Sequence, residues 1–121
     1  MNSNDKRTTW ENYASAWKET SKEAKHAAIL SSVAPSCVYR DPDTQLEGHD
    51  ALVEHMLAFH AQVPGGWFET TYFLAHHDRS IAKWNMRLPD GSLAGDGVSY
   101  GEYDESGRLI TMTGFFGAPP A

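Results

Sequence analysis

The spacing of hydrophobic positions changes near the middle of the chain. Before that point apolar residues recur at helical spacing. Trp10, Tyr13, Ala14 and Trp17 form one stripe of a helix predicted from about Trp10 to Lys18. A second helix, about Ser21 to Val33, would bury Ala24, Ala27, Ala28 and Ile29. It should stop ahead of Pro35, which cannot continue a helix. A third, about Asp50 to Gln62, repeats Leu52, Val53, Met56, Leu57 and Phe59 and ends at Pro64-Gly65-Gly66. Thr8 and Glu11 stand three apart, as do Thr20 and Glu23. At that spacing a hydroxyl and a carboxylate can satisfy the free amides of a helix start.

After Gly66 the pattern becomes strand-like. Four runs, Trp67 to Ala75, Ile81 to Leu88, Leu93 to Tyr103 and Arg108 to Phe116, are divided by turn-forming segments. In the second run Trp84, Met86 and Leu88 fall on one face and Lys83, Asn85 and Arg87 on the other. That alternation describes a sheet with one covered side and one wet side. Two shorter strands are read earlier, Cys37 to Arg40, closed by Asp41-Pro42-Asp43, and Thr44 to Glu47, ended by Gly48. Short turns imply an antiparallel meander, and helices grouped ahead of it favour an α+β layer fold. Residues 1–8 and 118–121 are expected to be tails, the first disordered, around a single domain over 9–117.

Composition narrows the function classes. A chain of 121 residues is one domain and hides enough surface to hold together without disulfide or metal. Ten Lys plus Arg against sixteen Asp plus Glu give a net charge of -6. Nucleic acid and anionic membranes both require a basic face, so neither is an expected partner. No apolar run approaches the ~18 residues of a membrane span, and the N-terminus lacks the apolar segment of a secretion signal. The single cysteine, Cys37, cannot form an internal disulfide, which suits a reducing compartment. A cytoplasmic protein is the expectation.

Aromatic residues make up 12% of the chain, including four Trp, so large rings should line a core or a cavity. The candidate cavity residues are Tyr13, Trp17, Tyr39, Met56, Trp67, Trp84, Met86 and Phe115, each of which could equally be plain core. His76 or His77 is a candidate proton shuttle, or else a satisfied turn histidine. His55 and His60 are five apart and miss a shared helical face, and Cys37 has no partner cysteine, so no metal site is expected. A hydrolase elbow of the Gly-x-Ser-x-Gly type and a phosphate loop are both missing from the sequence. No cofactor is implied. Asp41 stands at an Asp-Pro step, where its side chain could cap the turn.

Several motifs, taken in order, carry a family likeness. They are Tyr13-Ala14-Ser15-Ala16-Trp17, Val38-Tyr39-Arg40-Asp41-Pro42, Gly48-His49-Asp50-Ala51-Leu52, His76-His77-Asp78-Arg79, Trp84 and Gly91. The ending adds Glu102 to Leu109 and Thr113-Gly114-Phe115-Phe116-Gly117. With three helices ahead of a long sheet, the chain resembles the NTF2-like superfamily and its SnoaL-like branch, which also holds ketosteroid isomerases and polyketide cyclases. The resemblance implies a cystatin-like cone, with three helices on a strongly curved, mixed or antiparallel sheet around an apolar cavity. It also implies a homodimer formed through the outer sheet face. Asp41 falls where the isomerases carry their base, Tyr13 on their helix-one tyrosine, and Ser99 where they place a second acid. Epoxide hydrolases of this fold need an Arg and two Asp at positions that here read Trp84, Met86 and Gly114, so that reaction is rejected. The expected ligand is a small, mostly apolar organic molecule, and the expected reaction a cofactor-free isomerisation or cyclisation. The competing class is a non-catalytic ligand-binding or dimerisation module.

Overall fold

A computed structural model describes residues 3–116. Three helices, α1 (Ser3–Lys18), α2 (Lys22–Ser32) and α3 (His49–Gln62), cover one face of a six-stranded sheet. The strands are β1 (Val33–Asp41), β2 (Thr44–Glu47), β3 (Trp67–His76), β4 (Arg79–Arg87), β5 (Leu93–Tyr103) and β6 (Leu109–Phe116). Their order across the sheet is β2-β1-β6-β5-β4-β3. The expected meander runs through β3, β4, β5 and β6, and β2 returns antiparallel on β1. β1 joins β6 in parallel, which makes the sheet mixed.

Local chemistry sets the element ends. Helix α1 starts at Ser3, well before the expected Trp10, so the segment expected to be a disordered tail is helical from Ser3 onward. Burial explains the extension: Lys6 is covered, with its ammonium 5.8 Å from the centre of the Tyr103 ring. Residues 118–121, the other expected tail, lie outside the described residues. Thr8 is therefore inside the helix and cannot be its cap. For α2 the cap is Ser21, whose Oγ accepts the Ala24 amide at 3.1 Å, one residue later than the Thr20–Glu23 box placed it. Gly48 precedes α3 with φ 88°, a left-handed conformation that glycine adopts without steric cost.

The stripe Trp10, Tyr13 and Trp17 is buried, as are Leu52, Val53 and Met56 of α3. Each aliphatic side chain fully removed from water is worth about 1.5–3 kcal/mol. In α2 the burial departs from expectation. Ala27 is exposed, and the fully buried positions include Lys25 and Ile29. The Lys25 ammonium donates to the Ala16 carbonyl at 3.0 Å and so satisfies the C-terminal turn of α1.

Irregular pairing bends the sheet around the helices. A register shift between Thr70 and Tyr72 inserts an extra residue in β3. Phe68 and Thr70 face inward before the bulge, whereas Phe73 packs on the core after it and Tyr72 and Leu74 face outward. Further shifts follow Met86 and Glu102. Between Val33 and Val38, β1 also breaks register, and Pro35 sits in that irregular stretch, where its missing N–H costs no ladder bond.

Candidate functional site

Tyr39 and Asp41 are two apart on β1 and so share its inner face. The Tyr39 hydroxyl donates to Asp41 Oδ2 at 2.8 Å. His55, carried to the same oxygen by α3, places Nε2 3.3 Å away. The other oxygen, Oδ1, accepts the Asp43 amide at 2.9 Å. Asp41 thus caps the turn through one oxygen and meets Tyr39 and His55 in the cavity wall through the other. The Asp41 side chain is only 7% exposed.

These groups lie on one side of a cavity of about 610 Å³ between the helices and the bent sheet. Its walls are aromatic. Trp17 meets Phe59 and Phe68 edge-on at 5.6 and 5.4 Å, and Phe68 meets Trp84 at 5.0 Å in the same way. Such edge-to-face contacts fix ring orientations beyond what area burial alone would do. Gly97 admits the Trp84 indole, since a Cβ there would collide with the ring and with the Phe115 carbonyl. The Trp84 indole N–H then donates to Ser99 Oγ at 3.0 Å, which leaves the serine proton available to a ligand. Gly114 keeps space open between the two polar sides: its Cβ would stand 3.7 Å from Ser99 Oγ and 4.0 Å from Asp41 Cβ.

Burial pushes the Tyr13 phenol well above its usual range, and the charge of Asp41 pushes it in the same direction. The Tyr39 phenol is raised likewise, first by burial and then by Tyr13 and Asp41. Both therefore keep their protons at neutral pH and act as neutral hydrogen-bond donors. Cys37 is buried, and burial raises its thiol too, so it is not a nucleophile poised for attack.

The structure gathers Tyr13, Asp41 and Ser99 on the wall of this cavity, together with Trp17, Tyr39, Trp84 and Met86. Four other candidates lie elsewhere. Met56 faces away from the cavity and is fully enclosed in the core. Trp67, half-buried at the start of β3, carries the Lys18 ammonium 4.8 Å above its ring. His76 is exposed at the end of β3, its Nδ1 3.0 Å from that of His77. Phe115 lies on the outer sheet face, because β6 turns Met112 and Gly114 inward. His55, Phe59 and Phe68 line the cavity without having been singled out as ligand contacts. The spacing of four between His55 and Phe59 was the available signal, since it places both on one side of α3. Among the described residues no group of three or more His, Cys, Asp or Glu could hold a metal ion, and no helix is long and apolar enough to cross a membrane.

A helix-capped, strongly bent sheet closed on one aromatic cavity, with a carboxylate in its wall, defines a cone-shaped α+β pocket protein. The sequence matches the SnoaL-like domain over residues 10–114, and the chain belongs to that family within the NTF2-like superfamily. Solved structures repeat the architecture. A candidate isomerase of the SnoaL-like family from Agrobacterium tumefaciens superposes with a TM-score of 0.88 at 23% identity, covering 94% of this chain and 98% of that one. A protein with a cystatin-like fold from Methylobium petroleophilum gives 0.79 at 12% identity, over 100% and 81% of the two chains. An NTF2-like protein from Cytophaga hutchinsonii gives 0.69 at 9% identity, over 93% and 89%. At these identities the likeness is one of fold. No protein with a curated description matches the sequence.

Proposed function

We propose that the protein binds a small, mostly apolar organic molecule in the cone and moves a proton on it without a cofactor, as an isomerase or an aldol-type cyclase. The observation that carries this reading is the Asp41 carboxylate, almost wholly covered yet part of the wall of an aromatic cavity of about 610 Å³. A carboxylate held there is a general base within reach of a bound carbonyl compound. In the reaction a C–H bond next to the carbonyl breaks, the proton passes to Asp41, and the electron pair moves onto the carbonyl oxygen as an enolate. The neutral Tyr13 hydroxyl and the Ser99 hydroxyl donate to that oxygen. The proton then returns at another carbon, or the enolate carbon forms the new C–C bond and the proton goes to the oxygen of the second carbonyl.

The test begins with a metabolite library screened by thermal shift, because a ligand that binds only the folded chain raises its melting point. With a converted ligand in hand, Asp41→Asn should lower turnover by about 100-fold or more while circular dichroism stays unchanged. Unaltered turnover would remove Asp41 as the base. Ligands that bind and are recovered unchanged would favour the non-catalytic binding module.

We also propose a homodimer formed through the outer sheet face. Tyr72 and Leu74 of β3, Ile81 of β4 and Phe115 of β6 are all exposed there, with Leu74 directly opposite Ile81. Exposed apolar side chains gathered on one face are an association surface. A cytoplasmic location fits the single, buried thiol of Cys37.

A further inference from the structure

The Asp41 carboxylate is better placed to take a proton from a ligand than to exchange one with water. Tyr39 and His55 meet its Oδ2 at 2.8 and 3.3 Å, and the Asp43 amide meets Oδ1 at 2.9 Å. While a ligand fills the cavity, a side chain only 7% exposed has no direct path to solvent. His55 differs. Its side chain is 26% exposed and its ring lines the same cavity. An edge-on contact with Trp17 at 5.8 Å and a tilted contact with Tyr39 at 5.2 Å hold that ring in place. An ionised carboxylate only accepts hydrogen bonds, so Nε2 carries the proton that faces Asp41. Nδ1 meets no hydrogen-bond partner among the described residues.

Moving a proton between two atoms of a ligand needs one group that reaches both, or two groups with one at each. We infer that His55 is the second proton carrier of the site, its Nδ1 giving the ligand the proton that completes the reaction begun at Asp41. This assignment rests on the proton-transfer reading above. As the C–H bond breaks, its proton goes to Asp41 and its electron pair into the enolate. That pair then takes the proton from Nδ1 of the His55 imidazolium, at carbon or oxygen, and a neutral imidazole is left. Once the product has gone, water entering the cavity takes the proton from Asp41 and returns one to Nδ1. No proton is gained or lost over the cycle, and nothing is oxidised. The titratable neighbours of the ring are few. Asp41 and Tyr39 face it from β1, and α1 meets it through Trp17 and brings Tyr13 towards Asp41. Asp43 lines the same cavity, while β2 turns Leu46 inward and leaves Glu47 exposed. On the side of α2, Lys22 pairs with Glu54 and His26 with Asp50.

The test uses 2-tetralone, an apolar bicyclic ketone, incubated with the intact protein in D2O. Deuterium uptake next to its carbonyl is followed by NMR, and binding by tryptophan fluorescence. Wild type is expected to speed uptake above buffer, because the deuteron that returns comes from His55. In His55→Gln the amide still donates to Asp41, but a proton held by Asp41 can only go back to the carbon it left. Uptake should fall about 10-fold or more with affinity within about two-fold. His55→Phe, which keeps a ring against Trp17 and Tyr39, should show the same loss and serves if the Gln variant does not fold. The wild-type rate above buffer should also fall as pH rises through the imidazole range, since only the imidazolium carries the Nδ1 proton, and both variants should lack that limb. Uptake and pH profile equal to wild type in the variants, or a loss of uptake explained by weaker binding, overturns the inference. If Asp41→Asn alone abolishes uptake, the base reading stands without it. A wild type with no uptake above buffer at millimolar tetralone overturns both.

Discussion

The Tyr39 hydroxyl donates to Asp41 Oδ2 at 2.8 Å from two residues away on the same face of β1. A hydrogen bond to a charged group contributes about 1.5–3 kcal/mol. Tyr39→Phe keeps the ring packing against Trp17 and His55 and removes only this donor. It should lower the urea-unfolding free energy by about 1–3 kcal/mol with an unchanged slope. A loss below about 0.5 kcal/mol would mean that the bond contributes nothing to stability.

Lys25 gives stability a distinctive dependence on pH. Burial lowers its ammonium from 10.5 to about 8 in the folded chain. Between those values the unfolded chain holds the proton and the folded chain has released it. Unfolding then takes up a proton, and stability rises with pH across that window. Cys37 opposes the trend, because its raised folded value makes stability fall as the unfolded thiol ionises. Comparison with Lys25→Met isolates the lysine. Relative to that variant, the wild type should gain about 1–3 kcal/mol between pH 8 and 10.5 in denaturation series. Parallel curves would contradict a lowered Lys25.

Gly97, packed against the Trp84 ring, and Gly114, on the cavity wall, should respond in opposite ways to the same methyl group. At Gly97 a Cβ collides with the Trp84 ring and the Phe115 backbone, so Gly97→Ala should cost about 1–3 kcal/mol and alter the near-UV tryptophan signal. At Gly114 the nearest atoms are at ordinary contact distance. Gly114→Ala should therefore leave stability within about 0.5 kcal/mol and weaken ligand binding instead. Equal stability losses in the two variants would refute this assignment of space.

The dimer proposal is read by mass. Light scattering at micromolar concentration should return twice the 13.4 kDa of one chain. Leu74→Glu places a charge among the exposed apolar side chains of the outer face, opposite Ile81, and should return the single-chain mass with the helical and strand content intact. A wild-type particle of 13.4 kDa would refute the dimer.

What was legible in the sequence was local. The Trp10, Tyr13 and Trp17 stripe and the alternation of Trp84 and Met86 follow from helix and strand periodicity, and all five side chains lie along the cavity. Features that depend on a distant partner were hidden. Lys25 reads as a surface lysine until the end of α1 is brought over it. His55 meets Asp41 only when α3 folds back on β1. The bulge in β3 has no turn residue to announce it, yet it reverses which side chains face inward. Phe115 and Phe116 show the related ambiguity of adjacent rings, since alternation separates them and only pairing with β5 decides which lines the cavity.

The parallel pairing of β1 with β6 has a kinetic consequence. Tyr39 lies beside Met112 and Arg40 beside Thr113, so the strand that carries Asp41 gains its neighbour from the far end of the chain. Closing so long a loop is slow compared with forming helices or hairpins. During synthesis β1 and β2 can pair as a hairpin, but their inner edge stays open until residues 109–116 have emerged. An open edge is a template for association between chains. Late mutations that loosen the last strand should therefore lower the yield of assembled protein more than its final stability, because the same closing step completes the pocket and seals the edge.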